Sequence, residues 1–337
     1  MILPGLAFAA ALAVVARLVY EATGHTVSPV LCAILTGILW RNLVGVGDWA
    51  SAGLAFAGQT LLRIGIALIG LRLTLAVLGE TSLVALPVVL SCVTVAIVTT
   101  LGLGRLLGVS TGLRQLLAAG TAICGCTAII ATAPLLRARQ ADIGIALTCV
   151  VLFGSIAMMS YPWLAGALFH GDVLRTGVFL GASIHDTSQV VGASLIYSEQ
   201  FHAPDAVAIA GLTKFLRTSG LLILVPLAAW WGARGEAVAA GASAGVRKKA
   251  LPAFVLFFIG FAVLRTIGDG VAAEHADQWR QFLAIAQQAS EWLLLVGMAA
   301  VGLGVTFDHL REAGWRPVAV SFLAATATGA CALAWVL

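Results

Sequence analysis

The feature that most constrains this chain is a succession of long apolar segments with little sequence between them. A helix needs roughly 20 apolar residues to cross the hydrocarbon core of a bilayer. About eleven segments approach this length, near residues 2–20, 27–44, 56–78, 82–104, 113–136, 143–168, 174–197, 206–232, 250–267, 290–308 and 316–336. We therefore predict an all-α polytopic membrane protein with about eleven transmembrane helices.

Composition and loop length exclude a soluble enzyme. The chain is 61% hydrophobic and only 10% charged, whereas a soluble domain has about 25% charged residues. No loop is long enough for a soluble domain, so residues 1–337 are predicted to form a single integrated transmembrane domain. The apolar N-terminus lacks the basic region of a signal peptide and is interpreted as the first helix.

The remaining composition gives few signs of cofactors or macromolecular partners. The net charge of +4 comes with basic residues in loops, so nucleic-acid binding is not expected. All cysteines fall in predicted spans, and the Cys124–Cys126 pair has no second ligand pair, so neither a metal nor a cofactor is expected.

The short loops expected on the N-terminal side carry more Arg and Lys than the opposite loops, which predicts a cytoplasmic N-terminus in the inner membrane.

Two segments of the chain resemble each other. Residues 61–80 and 293–312 align without gaps and share Leu61/Leu293, Leu62/Leu294, Gly65/Gly297, Ala67/Ala299, Gly70/Gly302, Leu71/Leu303, Thr74/Thr306, Leu78/Leu310 and Glu80/Glu312. An odd number of predicted spans separates them, so they should cross the membrane in opposite directions. Inverted repeats of this kind are typical of secondary transporters, although chance similarity of two Gly-rich helices is the alternative.

The segment 120–134, GTAICGCTAIIATAP, has a composition that weakens a helix in mid-membrane. Gly120, Gly125 and Pro134 disfavour regular helical structure. We predict a break in this helix, with amide N–H groups and the positive end of a half-helix turned towards a cavity. Such a break would bind an anion without a charged side chain. An unbroken helix of small packing residues is the alternative.

A second span is interrupted by the polar run His185 to Gln189. An ionisable group inside a membrane segment is costly and by default suggests function. Lys214 and Arg217 follow in the next span and, three residues apart, share one helical face. We expect them to be the cationic partners of Asp186. A structural ion pair between neighbouring helices is the alternative.

These blocks resemble the YeiH-type family, whose name describes a sulfate exporter. The resemblance is carried by LLRIGIALIGLRLTL, AICGCTAIIATAP, FLGASIHDTSQVVGAS, AGLTKFLRTSGLL and AAVGLGVTFDHLREAGWRPV, over about residues 61–320. The family is similar to the wider superfamily of sodium/proton antiporters and bile-acid symporters. This similarity implies inverted repeats with discontinuous crossed helices. It also implies core helices at about 82–232 and 316–336 that move, as an elevator, against panel or dimerisation helices at about 27–78 and 250–308.

The resemblance also assigns residues. The family's Cys-Gly break falls on Cys124 and Gly125, and Asp186 stands where many relatives carry Glu. The two predicted breaks lie in spans that cross in the same direction, which a simple inverted pair does not allow. Either the number of spans differs from eleven, or the second crossing helix is elsewhere, at 290–308.

The predicted function is secondary active transport of a small anion, in the class of sulfate, sulfite or an organosulfonate. The expected substrate ligands are Cys124, Gly125, Cys126, Thr127, Ser188, Gln189, Lys214 and Arg217. His185 and Asp186 are the expected coupling pair for H⁺ or Na⁺, since histidine can change charge near neutral pH. The lipid bilayer is the other expected partner, and a homodimer is compatible with the predicted fold.

Two alternatives remain at this point. One is a cation/proton exchanger with Asp186 as ion ligand, which the adjacent Lys214 and Arg217 oppose. The other is a membrane-embedded enzyme that uses His185 and Asp186 or Cys124, which lacks a second set of catalytic partners. We therefore do not expect an enzyme.

Overall fold

The protein is almost entirely helical. Its computed structural model describes residues 2–23, 28–220, 253–271, 276–306 and 314–337. The helices there are α1 (Leu3–Ala22), α2 (Pro29–Leu43), α3 (Asp48–Phe56), α4 (Leu62–Ile69), α5 (Leu75–Leu106), α6 (Thr111–Ala122), α7 (Cys126–Thr132), α8 (Gln140–Phe169), α9 (Val173–Ser183), α10 (Thr187–Phe201), α11 (Asp205–Thr218), α12 (Ala253–Val271), α13 (Ala276–Gly304) and α14 (Trp315–Val336). These ranges contain no strand, and the all-α polytopic prediction is confirmed.

The lengths of these helices suit a membrane. In the described residues, six helical segments are long and apolar enough to cross a bilayer: Leu3–Ala22, Asp48–Arg72, Leu75–Leu106, Ala141–Phe169, Ala276–Gly304 and Trp315–Val336. The second of these joins α3 and α4 through a π-helical turn at Ala57–Leu61 and ends in a 3₁₀ turn at Gly70–Arg72. Parts of several predictions lie outside the described residues: residue 27 of the span 27–44, the span 206–232 beyond residue 220, the first residues of the span 250–267, residues 307–308 of the span 290–308, and residues 307–312 of the repeat.

The chain divides into two compact units. Unit 1 comprises Met1–Glu80, Val191–Ala208 and Ala253–Thr306, and unit 2 comprises Thr81–Val190, Ile209–Pro252 and Phe307–Leu337. The long helices α5, α10 and α11 each run from one unit into the other. The assignment of core and panel roles to ranges of the chain stays a prediction.

The repeated segments contact each other inside unit 1. A Cβ atom placed on Gly65 would lie 2.8 Å from Leu294 Cγ, and one placed on Gly297 would lie 2.9 Å from Leu62 Cδ1. Leu62 and Leu294, like Gly65 and Gly297, are equivalent positions of the repeat. The contact is therefore reciprocal, as a contact across a twofold axis must be.

The reciprocity extends to the neighbouring helices. A Cβ atom on Gly70 would overlap the backbone of Phe258 in α12, and one on the equivalent Gly302 would overlap the backbone of Ile34 in α2. Because Leu62 meets Gly297 while Gly65 meets Leu294, the two segments run antiparallel. The structure confirms that they have opposite directions and pairs α2 with α12 around the same local axis.

We expect Gly70→Ala and Gly302→Ala each to destabilise the protein by about 1–3 kcal/mol, because the added methyl group must displace a helix backbone. Gly79→Ala and Gly260→Ala are matched controls, since a Cβ atom there meets nothing within 4 Å. The controls should be neutral or slightly stabilising, as alanine is the better helix former. Thermal unfolding in detergent, followed by tryptophan fluorescence, compares the four variants. Equal stability of all four would contradict the close backbone contact.

Candidate functional site

The first predicted break is present in unit 2. Helix α6 ends at Ala122 and α7 begins at Cys126. Between them Gly125 has φ +56° and ψ −124°, a conformation that side chains with a Cβ atom avoid. The Gly125 N–H donates to the Gly120 carbonyl at 3.0 Å, which closes the end of α6. The prediction that the backbone leaves helical geometry within 121–128 is confirmed.

The second break follows the same pattern. Helix α9 ends at Ser183, and Ile184 is extended with φ −83° and ψ 141°. Helix α10 begins at Thr187, so the polar run occupies the break and the first turn of α10. Helix α13 is continuous from Ala276 to Gly304, and residues 305–306 are not helical. Residues 307–308 lie outside the described residues, so the alternative position for the second crossing helix, 290–308, stays a prediction.

Lys214 of α11 joins the two breaks. Its Nζ donates to the Ile123 carbonyl at 3.0 Å and the Ile184 carbonyl at 2.9 Å, and also to the His185 carbonyl. An ammonium group has three N–H donors, so main-chain oxygens of both breaks occupy all of them.

Arg217 repeats this arrangement one turn further along α11. Its Nε donates to the Ala122 carbonyl at 2.8 Å, and its Nη2 donates to the Thr121 carbonyl. On the other break, Nη1 donates to the Ala182 carbonyl and, at 3.3 Å, to the Ile184 carbonyl. The guanidinium group thereby binds the last turns of α6 and α9 together.

The physical reason for these contacts lies in the helix ends. The last carbonyls of a helix have no partner within the helix and carry partial negative charge. In a bilayer no water satisfies them, so a broken helix needs internal donors. Lys214 and Arg217, both fully buried, supply those donors and offset the negative ends of α6 and α9.

Asp186 occupies the opposite, positive end of the second break. Its Oδ1 accepts hydrogen bonds from Ser188 N at 3.0 Å and from Ser188 Oγ at 2.6 Å, as an N-cap residue does. Its Oδ2 lies 2.7 Å from the position that a Cβ atom on Gly125 would take. The expected ion pair of Asp186 with Lys214 or Arg217 is not formed; the described residues pair elsewhere. The carboxylate caps α10 beside the first break instead.

His185 and Gln189 are both buried, each about 3% exposed. Neither nitrogen of His185 makes a hydrogen bond, and its electrostatic neighbours are Arg217, Lys214 and the Ser183 backbone. The Gln189 amide donates to the Val151 carbonyl of α8 at 2.9 Å, and its Oε1 has no partner. The structure thus holds the Gln189 side chain against α8 and not beside Asp186.

The predicted site residues differ in accessibility. Cys124 is buried, Cys126 is half-buried and Thr127 is exposed, while Asp186 and Ser188 are half-buried. The accessible groups therefore lie at the first turns of α7 and α10, and the cations lie out of solvent. The sequence did not indicate that main-chain carbonyls are the partners of Lys214 and Arg217. It also did not indicate that the Gln189 side chain lies against α8.

Comparison with known proteins places the chain in a family. The family model described as conserved hypothetical protein 698 matches residues 4–321. The chain belongs to this family. It is 32% identical to the UPF0324 membrane protein TauZ of Paracoccus denitrificans over 325 residues, which cover 94% of this chain and 89% of TauZ.

Other relatives agree. A UPF0324 membrane protein of Pseudomonas aeruginosa is 32% identical over 96% of this chain and 90% of its own length. One from Nitratidesulfovibrio vulgaris is 30% identical over 99% and 92%. No solved structure matches the chain. These matches confirm the predicted resemblance at the level of the family, and the protein is a multi-pass membrane protein. The link to sulfate export and to the antiporter superfamily stays a prediction.

We expect Lys214→Met to destabilise the protein strongly. Methionine fills a similar volume without a donor, so the Ile123 and His185 carbonyls lose the partner that Lys214 supplies, at about 1–3 kcal/mol for each buried acceptor left unsatisfied, while the Ile184 carbonyl keeps its bond from Arg217. Arg17→Met is the matched control, because Arg17 is exposed and contacts the Glu21 carboxylate and the Tyr20 ring of its own helix; its effect should stay below about 0.5 kcal/mol. Thermal unfolding in detergent measures both variants. A Lys214→Met protein as stable as the parent would show that these hydrogen bonds do not hold the breaks together.

Proposed function

We propose that the protein is a secondary active transporter of a small anion, in the class of sulfate, sulfite or an organosulfonate. It acts in the inner membrane with its N-terminus in the cytoplasm and does not alter its solute chemically. The observation that carries this proposal is the Asp186 carboxylate, which is seated on the first turn of α10 beside the Gly125 break. A carboxylate there marks a position that favours negative charge.

The local charge balance favours an anion over a cation. Around the breaks, Lys214 and Arg217 contribute two positive charges and Asp186 one negative charge. The two cations act on each other and on His185 through space, so another cation would meet repulsion. A small anion would meet attraction strengthened by the low dielectric of the surroundings.

The donors for the anion are those that Asp186 now uses. The Ser188 N–H and hydroxyl point at Asp186 Oδ1, and helix N-termini bind oxyanions through such groups. Cys126 and Thr127 lie at the accessible start of α7. We assign contact with the substrate to Ser188, Thr127 and the backbone of Gly125 and Cys126. The buried Lys214 and Arg217 attract the anion electrostatically without contacting it.

This arrangement supplies a coupling mechanism. The ionised Asp186 carboxylate competes with a substrate anion for the first turn of α10, whereas a protonated carboxyl is uncharged and no longer competes for that position. Binding of the anion would therefore be linked to uptake of a proton by Asp186. His185 is the second coupling candidate, because its unpartnered imidazole lies next to the same main chain.

The two alternatives are less well supported by the same geometry. A cation/proton exchanger would need Asp186 to hold its ion, yet this carboxylate already caps α10 and lies within electrostatic reach of the buried Lys214. A membrane enzyme would need an activated group, yet neither His185 nitrogen is hydrogen-bonded to Asp186 or to a thiol in the described chain.

Transport by the purified protein in liposomes tests the proposal. We expect counterflow of labelled sulfate, sulfite or a short alkanesulfonate, with faster uptake when an inward proton gradient is imposed and with the solute recovered unchanged. Liposomes with Lys214→Met protein should be inactive. Chemical conversion of the solute would support the enzyme, and uptake of a cation without an anion would support the exchanger.

We expect Asp186→Asn to bind anions with little dependence on pH between about 5 and 8. Asparagine is as good an N-cap as aspartate, so α10 keeps its cap while the competing charge and its proton are lost. In the parent, affinity should fall as pH rises, because the proposed binding of the anion takes up a proton. Asp172→Asn is the matched control, since Asp172 caps α9 through the Arg175 N–H at 3.0 Å outside the breaks.

The measurement is anion-dependent thermal stabilisation, which grows with the ratio of ligand concentration to Kd and reaches about 2.7 kcal/mol at a hundredfold ratio. The control should retain the parent's pH profile. If Asp186→Asn retains it as well, Asp186 is not the coupling group.

A further inference from the structure

A second basic site lies in unit 2, between the end of α5 and the start of α6. It is a cavity of about 360 Å³ lined by Leu101, Gly102, Arg105, Thr111, Arg114 and Gln115. It is separate from the breaks, because it adjoins the first turn of α6 whereas the break follows the last turn. A 12-residue helix spans roughly 18 Å at about 1.5 Å per residue.

The two arginines of this cavity have no acidic partner. Arg114 Nη2 donates to Thr111 Oγ1 at 3.1 Å, and neither Arg105 nor Arg114 forms an ion pair with a described residue. Other arginines near helix ends do have one: a carboxylate three or four residues away pairs with Arg17, Arg139, Arg175, Arg265 and Arg280. The cavity thus presents two guanidinium groups that no carboxylate of the described residues neutralises.

An apolar stripe on α5 leads to the cavity. Leu83, Leu86, Leu90 and Val98 are between 47% and 80% exposed, and their spacing of three, four and eight residues puts them on one face. Continued along the helix, this face reaches Gly102 and Arg105. In a membrane, a face of this kind contacts lipid acyl chains. The headgroup of a lipid whose acyl chain lies along this face would therefore be next to the two arginines.

We propose that this cavity binds the phosphate headgroup of an acidic phospholipid, with an acyl chain along the exposed face of α5. Guanidinium groups bind phosphate through paired, charge-assisted hydrogen bonds, and basic pockets between transmembrane helices bind anionic headgroups. The Thr111 hydroxyl and the Gln115 amide are further polar groups at the same opening. The bound lipid holds the end of α5 and the first turn of α6, the helix that leads into the first break.

The test compares lipids on delipidated protein in detergent. Phosphatidylglycerol should raise the unfolding temperature of the parent, phosphatidylcholine should not, and native mass spectrometry should show retained phosphatidylglycerol. In Arg105→Gln/Arg114→Gln the apparent affinity for phosphatidylglycerol should fall by about tenfold or more, given two lost charge-assisted contacts. The control Arg175→Gln/Arg280→Gln removes the same charge elsewhere and should behave as the parent.

Two results would overturn the proposal. One is an unchanged response of the double variant to phosphatidylglycerol. The other is an equal rise of the parent's unfolding temperature with inorganic phosphate or sulfate that the double variant loses, which would assign the cavity to a free oxyanion, because anion binding at the breaks would stabilise both proteins alike. If the double variant does not fold, Arg105→Gln alone serves, because the Arg105 side chain makes no hydrogen bond to a described residue. Its affinity for phosphatidylglycerol should then fall while its stability without lipid stays that of the parent.

Discussion

Satisfying the main chain where two membrane helices are broken is the constraint on which unit 2 depends. A helix break inside the hydrocarbon core leaves carbonyl groups without a hydrogen-bond partner, because neither water nor the helix itself can supply one. Here the carbonyls of Thr121, Ala122 and Ile123 on one break, and of Ala182, Ile184 and His185 on the other, are all bound by Lys214 and Arg217. Two cations one turn apart on α11 therefore fix both breaks at once, which explains why they are tolerated at full burial.

This use of the cations leaves the positive helix ends as the accessible part of the site. The C-terminal ends of α6 and α9 face inward to Lys214 and Arg217, whereas the start of α10 is capped by Asp186. The buried cations hold the two breaks together, and the Asp186 carboxylate occupies the start of α10. The groups proposed to contact the substrate are therefore separate from those that hold the framework. Unit 1 is built differently, by close helix contacts at Gly65, Gly70, Gly297 and Gly302 that carry no charge.

Much of the fold could be predicted from sequence because its determinants are local. Small residues at 120–125 and the polar run at 185–189 weaken helices wherever they stand, so both breaks were predictable. The repeat was predictable because equivalent glycines serve equivalent backbone contacts. The partners of the polar side chains were not predictable in this way. Whether Lys214 meets Asp186 or a carbonyl, and whether Gln189 faces the break or Gly154 on α8, depends on distances set by tertiary packing.

The balance of charge around the breaks follows from the same electrostatics. The ends of α6 and α9 each carry about half a negative charge, and the starts of α7 and α10 each carry about half a positive charge, so the four helix termini roughly cancel. Lys214, Arg217 and an ionised Asp186 then leave the framework positive by about one charge. Uncompensated charge is costly in a membrane interior. If the protein transports an anion as proposed, a monoanion such as a sulfonate or hydrogen sulfite would balance this framework by itself, whereas a dianion such as sulfate would have to be carried together with one proton.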